Sequence, residues 1–389
     1  MTKATPRPGP AGPPEPRGPT RSGVSGTPDS AVPDPGLSTG PEPPPTTALR
    51  RVRPGRPLAI ALAALVVALA IGVSVGPADL SPATVAEALL VRLPWHPALS
   101  VPAIDTAIVW QIRLPRVILG ALVGAMLAGG GAAYQGVFRN PLADPYLLGV
   151  AAGAGLGATL IIVGGGSTGL LPAAAFTGAV GAVTMTYMLG SGAGGTGGST
   201  ASIVLAGVAV AALLTAIQEY LQQQHTQELQ QIYTWILGSL SLASWSDITL
   251  ILPYVVIAAA LLLAHRRLLD VLRVGEAEAG GLGVDVARLR LTVVLAATLG
   301  TAAAVAVTGL IGFVGIIVPH AVRLTWGASY RIVLPVSMVG GAAFLVLADV
   351  AARTVQAPAE VPLTVITATI GAPFFLFVLR SRRTRRDLS

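Results

Sequence analysis

The sequence predicts an all-α, polytopic membrane protein with ten transmembrane helices, and three observations predict it. Of the 389 residues, 53% are apolar and only 11% charged, whereas about a quarter of a soluble domain is charged. Apolar windows of about 20 residues, enough to span a bilayer core, recur along the chain. The arginines between those windows crowd onto alternate loops, as the positive-inside rule requires.

Composition also excludes several kinds of chemistry. There is no cysteine, so disulfides, thiolate metal sites and cysteine nucleophiles are ruled out. The only lysine is Lys3, so there is no P-loop, whose motif needs a lysine on the phosphates. Mean hydropathy is +0.71 and glycine occurs 46 times, a membrane rather than a nucleic-acid-binding profile despite the net charge of +7.

Residues 1–56 read as a disordered, proline-rich cytoplasmic tail. The first 50 residues hold 14 of the 31 prolines and no aromatic residue, too little apolar surface to offset the entropy of ordering. Pro41-Glu-Pro-Pro-Pro45 is either a polyproline ligand or part of a tolerated tail. Arg50, Arg51, Arg53 and Arg56 then precede the first apolar run, which lies too late and runs too long for a signal peptide.

Spans are expected near 58–76, 114–137, 146–164, 170–190, 201–221, 247–265, 290–309, 310–326, 332–353 and 361–379, within a ten-helix domain at 57–381. A short basic cytoplasmic tail, 382–389, follows. Ile232–Leu242 is too short to cross and is expected at a surface. No polar loop divides the seventh span from the eighth, so a bend buried in protein is expected at Thr308–Gly312. With both termini inside, 17 arginines fall inside and four outside (Arg92, Arg113, Arg116 and Arg353), even without counting Arg7, Arg17 and Arg21.

Within the spans, Gly120–Gly124, Gly129–Gly131 and Gly153–Gly157 are small-residue faces that let helices approach closely. Acids are scarce: Glu219 and Asp349 lie near outer span ends, which argues against a proton relay. Gly72-Val-Ser-Val-Gly76 matches a nucleophile elbow but sits in a spanning helix. Gly192-Ala-Gly-Gly-Thr-Gly197 matches a dinucleotide fingerprint but follows no strand. The four histidines have no ligand-like spacing, so no metal site is expected.

Three segments place charge where the bilayer makes it expensive. Arg113-Leu-Pro-Arg116 puts two cations at the outer mouth of the second span. Asp349 and Arg353 share a helix face at i,i+4. Leu268–Arg290 is the largest inside loop and contains a short helix-forming run closed by glycines. Interface anchoring or snorkelling explains the arginines equally well, and a plain connector explains the loop.

In this order the three segments resemble the FecCD-type permeases of ABC importers, which move iron–siderophores, haem and vitamin B12. The matching stretches are Arg113–Val117, Gln135–Gly149, Gly281–Val284, Gly309–Arg323, Leu347–Arg353, Glu360–Leu363 and Gly371–Phe375, within residues 58–380. The resemblance implies a type II importer permease in a bacterial plasma membrane. It implies a second permease subunit, two ATPase subunits carrying ATP and Mg, and an extracytoplasmic binding lipoprotein. No cofactor on this chain and no nucleic-acid partner are implied.

On that resemblance, Arg113, Arg116 and Arg353 receive glutamates of the binding protein, with Asp349 orienting Arg353. Leu272, Gly275, Glu276, Ala279, Gly281, Leu282 and Gly283 belong to the segment that couples to the ATPase. The translocation path between the two permeases runs along the fifth and tenth helices, where Gln218, Glu219 and Gln222 offer either an amide-rich rim or a solvated loop. An iron(III) chelate is the expected cargo, with vitamin B12 or haem as alternatives. An ion-coupled secondary transporter and an intramembrane enzyme are the competing classes.

Overall fold

A computed structural model describes residues 55–92, 101–192 and 200–386. The tail read at 1–56 lies outside the described residues except for its last two, which open the first helix, and so does most of the glycine motif at 192–197. Fourteen α-helices follow in chain order. They are α1 (Gly55–Ser74), α2 (Pro82–Leu90), α3 (Ala103–Ala107), α4 (Leu114–Val137), α5 (Val150–Val163), α6 (Leu171–Gly192) and α7 (Thr200–Gln224). Then come α8 (Leu229–Ile236), α9 (Trp245–Leu272), α10 (Glu276–Gly281), α11 (Val286–Thr308), α12 (Val314–Trp326), α13 (Tyr330–Thr354) and α14 (Leu363–Arg386). No strand occurs among the described residues.

Among the described residues seven stretches are long and apolar enough to cross a bilayer: α1, Ala103–Val137, Thr168–Gly192, α7, α9, α11 and α13. Three shorter apolar helices, α5, α12 and Leu363–Phe377, stand at the other three expected spans. The ends differ from expectation. A π-helical stretch, Ile108–Arg113, joins α3 to α4, so the second span starts well before residue 114. The last helix runs to Arg386, past the boundary expected at 381.

α4 is the centre of the bundle. Met126 to Val137 are buried without a break, because α4 packs against α9, α11, α12 and α13 together. Small residues make this possible. A Cβ on Gly124 would lie 2.2 Å from the Gly341 carbonyl oxygen of α13, so only glycine lets these two backbones touch. The same holds between α5 and α6, where a Cβ on Gly153 would lie 2.2 Å from Gly178 O. The peripheral helices α6 and α7 carry Met188 and Leu205 about 70% exposed, as apolar surface does when it faces lipid or another subunit.

The expected bend between the seventh and eighth spans is present. The chain leaves α11 at Gly309 and re-enters a helix only at Val314. Exposed to lipid, this non-helical backbone would be costly; here neighbours satisfy it. The Tyr146 hydroxyl donates to Ile311 O and accepts from Ile311 N, both at 3.0 Å. Thr364 Oγ1 donates to Leu310 O at 2.6 Å, and Ser239 N to Thr308 O at 2.9 Å. The break thus ties α11, α12, the start of α14 and the segment after α8 into one unit.

Candidate functional site

Charge collects at the two ends of the bundle. Arg116 begins α4 and Gln135 nearly ends it, a rise of about 30 Å at 1.5 Å per residue. At the Arg116 end, α4 meets the last turns of α1 and α13.

There Arg116 is clamped between two carboxylates. Its Nε donates to Asp349 Oδ1 and Oδ2, both at 3.0 Å, and its Nη2 to Oδ1 at 2.7 Å. The other edge of the guanidinium meets Glu360: Nη1 donates to Oε1 at 2.6 Å and Nη2 to Oε2 at 2.9 Å. Planar, two-pronged pairing of this kind is what arginine supplies and lysine does not. Arg353 donates from Nη2 to Gly72 O at 2.7 Å, and its Nε lies 3.4 Å from Asp349 Oδ2. Arg113 reaches the end of α1, donating to Val73 O at 2.8 Å, Ser74 O at 2.7 Å and Ala78 O at 2.5 Å. The last carbonyls of a helix lack partners within it and attract a cation.

The arginines expected to receive the binding protein's glutamates are buried: Arg113, Arg116 and Arg353 are 3%, 7% and 2% exposed, with donors engaged inside the chain. Packing against α1 and α13 covers them, which outer-loop placement did not reveal. Asp349, expected to orient Arg353, lies 3.4 Å from its Nε and also accepts three hydrogen bonds from Arg116. Glu360 had no separate role in the sequence reading, yet its side chain is 30% exposed and is the cluster's most open part. Its signal was available: an acid beside a span, at the end of the bundle where the arginines stand.

At the opposite end, the coupling segment divides into two sets. Leu272, Gly275 and Ala279 face inward and are buried, whereas Glu276, Gly281, Leu282 and Gly283 are exposed. Leu282 is 72% exposed and Val274 67%, two apolar side chains standing out of α10 and its flanks. Gly283 turns the chain at φ 81, a conformation open to glycine. Arg290 Nη2 donates to Glu276 Oε1 at 2.6 Å, and Thr200 Oγ1 donates to the same oxygen at 3.2 Å. Glu276 thereby fastens α10 to α11 and α7.

Gln218 is buried against α5, whose Gly155 leaves it room: a Cβ there would lie 2.7 Å from Gln218 Oε1. Gln222, one turn on along the same face of α7, is half-buried, and Glu219 is exposed. Among the described residues no three His, Asp or Glu side chains are grouped to hold a metal ion.

Comparison with known proteins follows the same lines. The FecCD transport family model matches residues 64–381. The cobalamin import system permease protein BtuC of Halobacterium salinarum is 42% identical over 360 residues, covering 82% of this chain and 95% of that protein. The hemin transport system permease protein HmuU of Yersinia pestis is 40% identical over 289 residues, covering 72% and 85%. A solved inward-facing structure of a metal-chelate type ABC transporter superposes with a TM-score of 0.73 at 29% identity, covering 83% of this chain and 98% of that one. Helices, charged ends and relatives agree: this multi-pass membrane protein belongs to the FecCD transport family, a permease subunit of an ABC importer and not an enzyme.

Proposed function

We propose that this chain crosses a bacterial plasma membrane ten times, both termini cytoplasmic, and carries an iron(III)-siderophore-type chelate inward between itself and a second permease subunit. The observation that carries this reading is the division of polar contacts between the two ends. The α10 end presents Leu282 and Val274 to an ATPase. The Arg116 end presents Glu360 and the arginine cluster behind it to a binding protein. The apolar outer side of α7, with Leu205, Leu213 and Ile217 exposed, faces the partner permease. The shorter helices α5, α12 and α14 complete the ten crossings, and the arginine sidedness supports the orientation.

A passive conduit of this kind needs closure of the ATPase to tip the bundle between outward and inward openings. Cobalamin is the second reading, favoured by the likeness to the halobacterial cobalamin permease. The test is uptake into proteoliposomes holding the permease and its ATPase, with the binding protein added outside. ATP-dependent entry of a ferric chelate in preference to cobalamin and haem is the expected result. Preference for cobalamin would shift the cargo, and uptake by the chain alone under an ion gradient would overturn the class.

A further inference from the structure

Three arginines converge on a cavity of about 290 Å³ at the α10 end of the bundle. Arg139 follows α4, Arg273 follows α9 and Arg323 lies in the last turns of α12; Gln135, Pro141 and Tyr330 complete most of the wall. None of the lining side chains is acidic. Neither docking nor coupling uses this place, although the stretches from Gln135 and up to Arg323 are among those that carry the family likeness.

The arginines are held but not neutralised. Gln135 donates from Nε2 to Gly315 O at 2.9 Å and accepts from Arg323 Nη2, so a buried amide aims the guanidinium. Arg323 Nη1 is buried without an acceptor among the described residues. Arg139 makes no ion pair among them, and it holds a left-handed backbone, φ 50, where glycine is usual after a helix. Among the described residues Arg273 pairs with Asp270 alone, at 3.7 Å. That carboxylate is closer to Ser329 Oγ, at 2.8 Å, and Tyr330 N, at 2.6 Å, and is shared with Arg331 at 3.7 Å.

Convergent guanidinium groups with free donors match the oxygens of a phosphate. The cavity has more room than one side-chain carboxylate fills. Leu142 and Leu324, next in sequence to the lining residues Pro141 and Arg323, are 49% and 59% exposed and offer apolar surface to acyl chains beside a bound headgroup. Basic pockets between transmembrane helices on the cytoplasmic side are suited to anionic headgroups. We propose that the cavity between Arg139, Arg273 and Arg323 binds the phosphate headgroup of an anionic phospholipid. The cytoplasmic placing of this end rests on the orientation proposed above, but the binding itself does not, so the two can fail separately.

The full-length chain in detergent is titrated with dioleoylphosphatidylglycerol, dioleoylphosphatidylcholine and inorganic phosphate, and bound lipid is counted by native mass spectrometry. The glycerol lipid should bind about tenfold more tightly than the choline lipid. The R139Q/R273Q variant should lose that preference at an unchanged melting temperature. Both positions are solvent-facing, so folding does not depend on them; R139K/R273K, which keeps the charge, should restore part of the preference. Equal affinity for the two lipids overturns the proposal, as does a preference that survives R139Q/R273Q. Inorganic phosphate binding as tightly as the lipid, with the same arginine dependence, assigns the site to the free ion and overturns it too. If R139Q/R273Q keeps the lipid preference but no longer co-purifies with the ATPase, the surface is a protein contact instead.

Discussion

Arg116 and Asp349 stand 233 positions apart and meet through three hydrogen bonds of 2.7 to 3.0 Å, with the Asp349 side chain only 2% exposed. The pair joins the start of the central helix α4 to the end of α13, and Arg353 contacts its Asp349 and Glu360 its Arg116. An ion pair so enclosed loses much of its Coulomb gain to desolvation, so it contributes more to the arrangement of the helices than to net stability.

Removing one member should therefore be costly. Asp349→Asn leaves Arg116 facing Glu360 alone and is expected to destabilise the chain by about 3 to 5 kcal/mol. The combined Arg116→Met, Asp349→Leu variant should recover most of that loss. Thermal melts of the purified protein in detergent measure both, and a double variant no better than the single would show that the charges themselves hold the helices.

Glu360 should behave differently because it is partly open to water. Glu360→Gln is expected to cost at most about 1 kcal/mol of stability. It would free one edge of Arg116 for an arriving carboxylate, so affinity for the binding protein should rise by roughly threefold or more. Titration of immobilised permease with the cognate protein reads this directly. Unchanged affinity would place docking elsewhere.

For the coupling segment the test is Leu282→Asp. Its exposure predicts an unaltered melting temperature, since none of the described residues packs over it. ATP hydrolysis by the assembled complex should continue while uptake falls by about tenfold or more, a charge having replaced an apolar contact. Paired hydrolysis and uptake assays on the same proteoliposomes separate uncoupling from loss of assembly.

Close helix approach yields a prediction on stability alone. Gly124→Ala should cost about 3 kcal/mol or more, because its Cβ would meet Gly341 O at 2.2 Å, and backbone cannot swing aside as a side chain can. Gly181→Ala on α6 has open space around it and should be neutral or stabilising by up to about 1 kcal/mol. Melting temperatures of the two variants, compared side by side, test whether packing or propensity decides.

The loop after α4 supplies a pH dependence. Burial pushes the Asp144 carboxyl up from 3.8 to about 6, despite the 2.8 Å bond that its Oδ1 accepts from Tyr146 N. The folded chain thus holds this proton more tightly than the unfolded one. Its contribution to stability is full below about pH 4 and is lost as pH rises through about 6. Asp144→Asn keeps an acceptor for Tyr146 N and removes the titration. Its melting temperature relative to the native chain should climb between pH 4 and 6 and level off above.

Much of this was legible in the residues. Apolar windows located the seven long apolar helices and the three shorter ones, because a bilayer core demands uninterrupted apolar runs. The missing polar loop at Thr308–Gly312 foretold a bend enclosed by protein. The motif order from Arg113 to Phe375 indicated the family before any contact was known. Glycine runs announced close packing, although not which helices would meet.

What the linear pattern could not carry was the pairing of distant groups. Arg113, Arg116 and Arg353 read as three outer cations on separate stretches of chain. Folding makes them a buried cluster, because α1, α4 and α13 end at one place and desolvated guanidinium groups must find acceptors there. Glu360 entered only as part of a matching stretch, since its partner lies 244 residues away. The arginines around the α10-end cavity come likewise from three helix ends. Hydropathy is a sum over neighbours in sequence, so the sequence by itself determined class, apolar helices and family. Charge compensation is settled by neighbours in space, so only the tertiary structure decided which cations are satisfied and which still wait for a partner.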